Sequence, residues 1–139
     1  MQSNLPARSL LLALALPFML AAQTQDVSGS WVSDSDASVK WILDQKANEI
    51  HVREVAGDKV QADFTCPLSG KECVVKEDGH SEKIMMYFNG DKLVEIREHG
   101  SETIKQRLAV SSDGKMLTVE TVPLASDQKA GQRSFRRQM

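Results

Sequence analysis

Two cysteines, three histidines and a scatter of serines and arginines are the side chains of this sequence that can do chemistry, and their spacing decides what chemistry is open to them. His51, His80 and His99 lie far apart, and none stands in a metal-ligand spacing such as His-x-His or His-Glu-x-x-His. Ser112-Asp113-Gly114-Lys115 and Ser126-Asp127-Gln128-Lys129 both match Ser-x-x-Lys. That motif activates serine only where a helix sets the lysine one turn above it, and the first match reads as a hairpin turn. Gly70-Lys71 lacks the upstream glycine and the following hydroxyl of a phosphate loop. No catalytic set, cofactor motif or metal motif emerges, so the reading is a non-enzymatic protein.

Cys66 and Cys73 suit a structural bond better than a redox one. A catalytic dithiol uses Cys-x-x-Cys near a helix start, which is absent. Pro67 to Glu72 reads as a reverse turn, and if its flanking strands form a hairpin the two sulfurs face each other across it. Such a bond closes a short loop and is worth about 2.5 kcal/mol of chain entropy. It presupposes an oxidising compartment, and the N-terminus agrees. Arg8, the apolar run Leu10 to Leu20 and the small pair Ala21-Ala22 form an export signal over residues 1–22, leaving 23–139 as one domain. The run is too short to cross a bilayer. No lipid-modified cysteine directly follows it, so the expectation is a secreted or periplasmic protein without a membrane anchor. With 17 basic and 19 acidic residues the chain is weakly acidic, which speaks against nucleic acid as a partner.

The elements that would position these side chains are strands. Turn signals recur at Gly57-Asp58, Asp78-Gly79, Asn89-Gly90, His99-Gly100 and Asp113-Gly114, with weaker ones near Asn48 and Gly70, leaving room for one strand between each pair. Between them, Val39, Trp41 and Leu43 alternate with Lys40 and Asp44, and Val60, Ala62 and Phe64 with Lys59, Gln61 and Asp63. Ile104, Leu108 and Val110 likewise oppose Lys105, Arg107 and Ala109. Each segment therefore has one face for burial and one for water. This predicts an all-β fold, a single up-and-down antiparallel barrel of about eight to ten strands. No amphipathic helix is expected beyond a short turn near Leu124 to Lys129.

A barrel of this kind can hold a ligand inside. Met85-Met86-Tyr87-Phe88 is the most apolar stretch past the signal, and alternation sends Met86 and Phe88 to one side. Trp41 on an apolar face, and the mid-strand arginines Arg97, Arg107 and Arg133, are candidates to line the interior or to anchor an acidic head group. The basic cluster Arg133, Arg136 and Arg137 reads otherwise as a solvated strand face.

Gly29-Ser30-Trp31 at the first strand and Arg133-Ser134-Phe135-Arg136 at the last frame a layout that resembles the lipocalin-like, calycin-type barrels, and more closely the short secreted lipocalin-like domains of bacteria. Leu68 to Glu72, Asn89 to Val94 and Ser112 to Val119 share in the likeness, which covers nearly all of residues 28–138. The resemblance implies that Trp31, following Gly29, plugs the closed end beside an arginine of the last strand, Arg133 or Arg136. It implies a small apolar or amphipathic ligand in the interior. The competing expectation is a filled barrel working through its outer surface as an envelope interaction or inhibitor module.

Overall fold

The structure, a computed structural model, describes residues 24–77 and 79–139, with the side chain of Glu77 left aside. The expected export signal lies outside the described residues. Ten strands follow one another: β1 (Gly29–Ser33), β2 (Val39–Gln45), β3 (Glu49–Ala56), β4 (Lys59–Pro67), β5 (Cys73–Glu77), β6 (His80–Asn89), β7 (Lys92–His99), β8 (Glu102–Val110), β9 (Met116–Val122) and β10 (Gly131–Arg137). Among the described residues there is no helix, and Leu124 to Lys129 is a loop held by turns. Asn89-Gly90-Asp91-Lys92 shows why the meander is tight. Asn89 pairs with Lys92, and Gly90 takes the positive φ of 64° that a two-residue turn demands.

The strands form one antiparallel sheet in the order β4-β3-β2-β1-β10-β9-β8-β7-β6-β5. The first and last strands close the ring through the pairs Trp31 with Arg137, Val32 with Arg136 and Ser33 with Phe135. The barrel is thus nearly closed, with a single break in the ladder between β4 and β5.

That break corrects the expectation for the cysteines. Cys66 and Cys73 do not face each other across a paired hairpin. They stand at disulfide distance, Cα to Cα 5.6 Å, on the two strands that flank the break. The residues between them turn aside, where Ser69 bridges to Tyr87 and Gly70 N–H donates to Met86 C=O.

Alternation sets the interior. Trp31, Trp41, Leu43, Ile50, Val52, Phe64, Met86, Leu93, Leu108, Leu117, Val119 and Phe135 are buried together. Val60 departs from the expected pattern and is 42% exposed. A bulge between Glu54 and Val55 shifts the register, so that Ala62 still pairs with Glu54 while Val60 pairs with Val55 and turns outward. The last strand also departs from a solvated face. Arg133, Phe135 and Arg137 share its inner side, and of the strand's three arginines only Arg136 points out, to pair with Asp34 at 2.8 Å.

Candidate functional site

The two ends of the barrel are built differently. At one end the segment 24–28 crosses beneath the strands. The Gln25 side chain exchanges hydrogen bonds with the Val110 backbone, and Val27 N–H donates to Gln45 Oε1 at 2.9 Å. Trp31 is buried there and donates from Nε1 to Val27 C=O at 3.1 Å. The arginine over its ring is Arg137, 4.3 Å from the centroid, rather than Arg133 or Arg136. Register is the reason, since Trp31 pairs with Arg137 and cross-strand partners share a face. The Arg137 guanidinium donates to Gly114 C=O at 2.7 Å and Ser28 C=O at 2.8 Å. Gly29 is needed beside it, because a Cβ there would collide with the guanidinium and the residue holds φ at +150°. This end is a structural plug.

At the other end the inward series turn polar. Ile50 and Val52 are followed by Glu54 on β3, and Leu93 by Glu95 and Arg97 on β7, while β8 and β9 contribute Gln106 and Thr121 opposite each other. Glu95 is almost wholly buried. It accepts from Arg97 Nε at 2.7 Å and from Nη2 at 3.3 Å, a two-point contact that offsets the cost of burying both charges. Arg97 Nη2 also donates to Glu54, and its guanidinium lies 5.2 Å from the Phe64 ring. Arg97 on β7 therefore reaches β3 and β4 and bridges the broken side of the barrel from within. Burial works against the Arg97 charge, but its two carboxylates outweigh that and raise its pKa. Burial pushes Glu54 above the ordinary carboxylate range, with Glu95 adding to the rise and Arg97 and Arg133 offsetting only part of it.

Arg133 stands in the same end, one inward position from Phe135. Its guanidinium lies 5.1 Å from the Trp41 ring and 5.7 Å from the Phe135 ring, and those two rings pack at 5.1 Å. Arg133 is exposed, and among the described residues no carboxylate lies within ion-pair distance of it. At the same end, under the β9–β10 loop, opens a cleft of about 980 Å³ lined by Ile104, Gln106, Thr121, Leu124 and Gln128 together with the charged Glu102, Asp127 and Lys129, and Arg133 is not part of its lining. The arrangement offers a cation on an aromatic floor, polar neighbours and room for a small molecule.

The other sequence candidates fall around this group. Trp41 forms its floor and Arg97 its far wall. Met86 is fully buried below, and Phe88, paired with Leu93, lies toward the plug. Arg107 lies on the outer side, in the row Tyr87, Val94, Arg107, Glu120, because it alternates with the inward Gln106 and Leu108. Glu54, Glu95, Gln106 and Thr121 were not singled out from the sequence. The signal that finds them is continuation of an apolar every-second-residue series into a polar residue. His80 and His99, with ring centroids 6.0 Å apart, stand at the rim of this same end, where His99 follows Arg97 in the inward series of β7. His51 contacts Asp63 on the outer face, and His99 Nδ1 lies 3.2 Å from Glu82 at the rim. Among the described residues no group of three ligating side chains is placed to hold a metal.

No family model matches the chain, and no curated protein sequence matches it. Solved structures do. A point mutant of the fluorescent protein UnaG is similar at a TM-score of 0.58 and 18% identity over 81% of this chain and 96% of its own. Human cRBP IV gives 0.59 at 13% identity over 81% and 98%. A secretary abundant heat soluble protein from Ramazzottius varieornatus gives 0.61 at 12% over 84% and 98%. The fold is a calycin-type barrel. At these identities the likeness carries the fold alone, and the calycin barrel of this chain must be read for function from its own side chains.

Proposed function

We propose that this protein is an exported, non-enzymatic calycin-type barrel that binds a small amphipathic molecule at its open end, with an anionic head on Arg133, whose guanidinium rests on the buried rings of Trp41 and Phe135. The observation that carries this reading is the state of Arg133: an exposed guanidinium on an aromatic floor, facing the interior, with no carboxylate of its own within ion-pair distance among the described residues. The site is shallow. Met86, Leu93, Phe135 and Glu95 fill the barrel below it, so a ligand would sit in the mouth. The N-terminal export pattern and the Cys66–Cys73 pair support action outside the cytoplasm.

Native mass spectrometry of protein recovered from its host, followed by titration with a panel of neutral and anionic amphiphiles, tests the reading. We expect one molecule per chain and a loss of affinity of about tenfold for anionic members in Arg133→Gln, the scale of one charge-assisted contact. Binding that is unsaturable, or indifferent to Arg133, overturns it. The filled middle of the barrel and the 57% exposed Val74 on the edge strand β5, which pairs on one side with β6, favour the second reading, a surface-acting interaction module. A panel in which nothing binds leaves that one standing.

A further inference from the structure

We infer that Glu54 is a proton-coupled determinant of this site: an anionic head group arriving at Arg133 is accompanied by uptake of a proton at Glu54, so that anions are held more tightly in mild acid. The inference rests on the binding reading above and concerns how that site is regulated.

Arg133 lies over Trp41, and Trp41 is the cross-strand partner of Glu54 on the same face, so the anion anchor and the carboxylate are neighbours in one mouth. The charged groups that face Glu54 are Arg97 and Glu95 from β7 and Arg133 from β10, while its partners on β2 and β4, Trp41 and Ala62, carry no charge. Glu95 takes two contacts from Arg97, leaving Glu54 a share of a single Nη2 and the field of Arg133. A ligand anion on Arg133 cancels that field and adds a like charge nearby. Both effects disfavour the ionised form of Glu54, whose pKa burial already raises. Linkage makes the coupling reciprocal: whatever favours the proton on Glu54 favours the anion on Arg133 by the same factor. Arg97 remains charged and bound to Glu95 throughout, so protonation of Glu54 need not unseat the wall of the site.

Anilinonaphthalene sulfonate is a suitable probe, because its sulfonate stays charged throughout and any pH dependence belongs to the protein. N-phenylnaphthylamine serves as its neutral counterpart. Between about pH 7.5 and about pH 5 we expect the sulfonate to bind roughly three- to tenfold more tightly, the effect of displacing one carboxylate pKa by half a unit to one unit, with the neutral probe unchanged. In Glu54→Gln the sulfonate should bind near neutrality as tightly as it binds wild type in acid, and its pH dependence should flatten. Calorimetry of the wild type in two buffers of different ionisation enthalpy, which needs no variant, should show net proton uptake on sulfonate binding. Equal tightening of both probes, no proton uptake, or an undiminished pH dependence in Glu54→Gln overturns the inference while leaving the site intact. Failure of the sulfonate to bind saturably at any pH removes the site itself, and with it this inference.

Discussion

The inner face of the last strand carries two arginines on tryptophans, one at each end of the barrel, and they have opposite fates. Arg137 over Trp31 is spent: two backbone carbonyls take its N–H groups, a glycine makes room for it, and the N-terminal segment covers the tryptophan. Arg133 over Trp41 has the same aromatic support but is exposed, and among the described residues it makes no hydrogen bond to a carbonyl. The pairing of residue types is therefore not informative by itself. What separates a structural arginine from a binding one is whether the surrounding backbone has already satisfied its donors.

The sharpest way to break this comparison is at the plug. Trp31→Ala should cost about 3–5 kcal/mol, the usual range for a large buried aromatic, read from urea melts of the oxidised protein. A loss below about 1 kcal/mol would show that the plug is not structural.

The arginines come next. Arg137→Ala removes two charge-assisted bonds to carbonyls and should cost about 2–4 kcal/mol, whereas Arg133→Ala should change stability by less than about 0.5 kcal/mol. Equal effects in the same melts would erase the distinction between the two ends.

Acid should distinguish the ends most subtly. At the plugged end the Ser28 N–H lowers the pKa of Asp26, and the Ser111 hydroxyl and then the Lys115 N–H lower that of Asp113. A carboxyl with a lowered folded pKa contributes stability above its unfolded value, and that contribution is lost as pH falls through the folded one. Glu54 works in the other sense. Its raised pKa favours the fold while it is protonated, and that contribution fades as pH rises through the raised value. Amide exchange followed from about pH 6 to about pH 3 should show residues 24–28 and 111–115 loosening before the strands around Glu54. The reverse order would contradict both assignments of sign.

Much of this was legible from spacing. The Gly-containing turns set the strand count, and alternation placed Trp41, Leu43, Phe64 and Leu108 inside. What escaped were effects of one residue. The bulge at Glu54 and Val55 turns Val60 outward without any composition signal. The identity of the arginine over Trp31 depends on the register between β1 and β10, which local pattern does not specify when three arginines crowd one strand. Glu54 and Glu95 were passed over because charged residues are ordinarily assigned to water, and only their partnership with Arg97 across the barrel makes an inward place tenable. The break between β4 and β5 was hidden behind a turn that looked like any other hairpin.

The strand order has a consequence for how the chain finds its fold. Every ladder except one joins strands consecutive in sequence, and the exception, β1 with β10, unites the two extremes of the described chain. Forming it carries the largest loop-closure entropy in the molecule, which makes it the slow step by topology alone. Because the ring is already interrupted between β4 and β5, a circular permutant cut in that connection, with a linker joining the present ends, would run β5 to β10 and then β1 to β4. Every ladder of the sheet would then be local. The natural order instead makes ring closure, and with it the seating of Trp31 beneath Arg137, a late event that certifies the arrival of both ends of the chain.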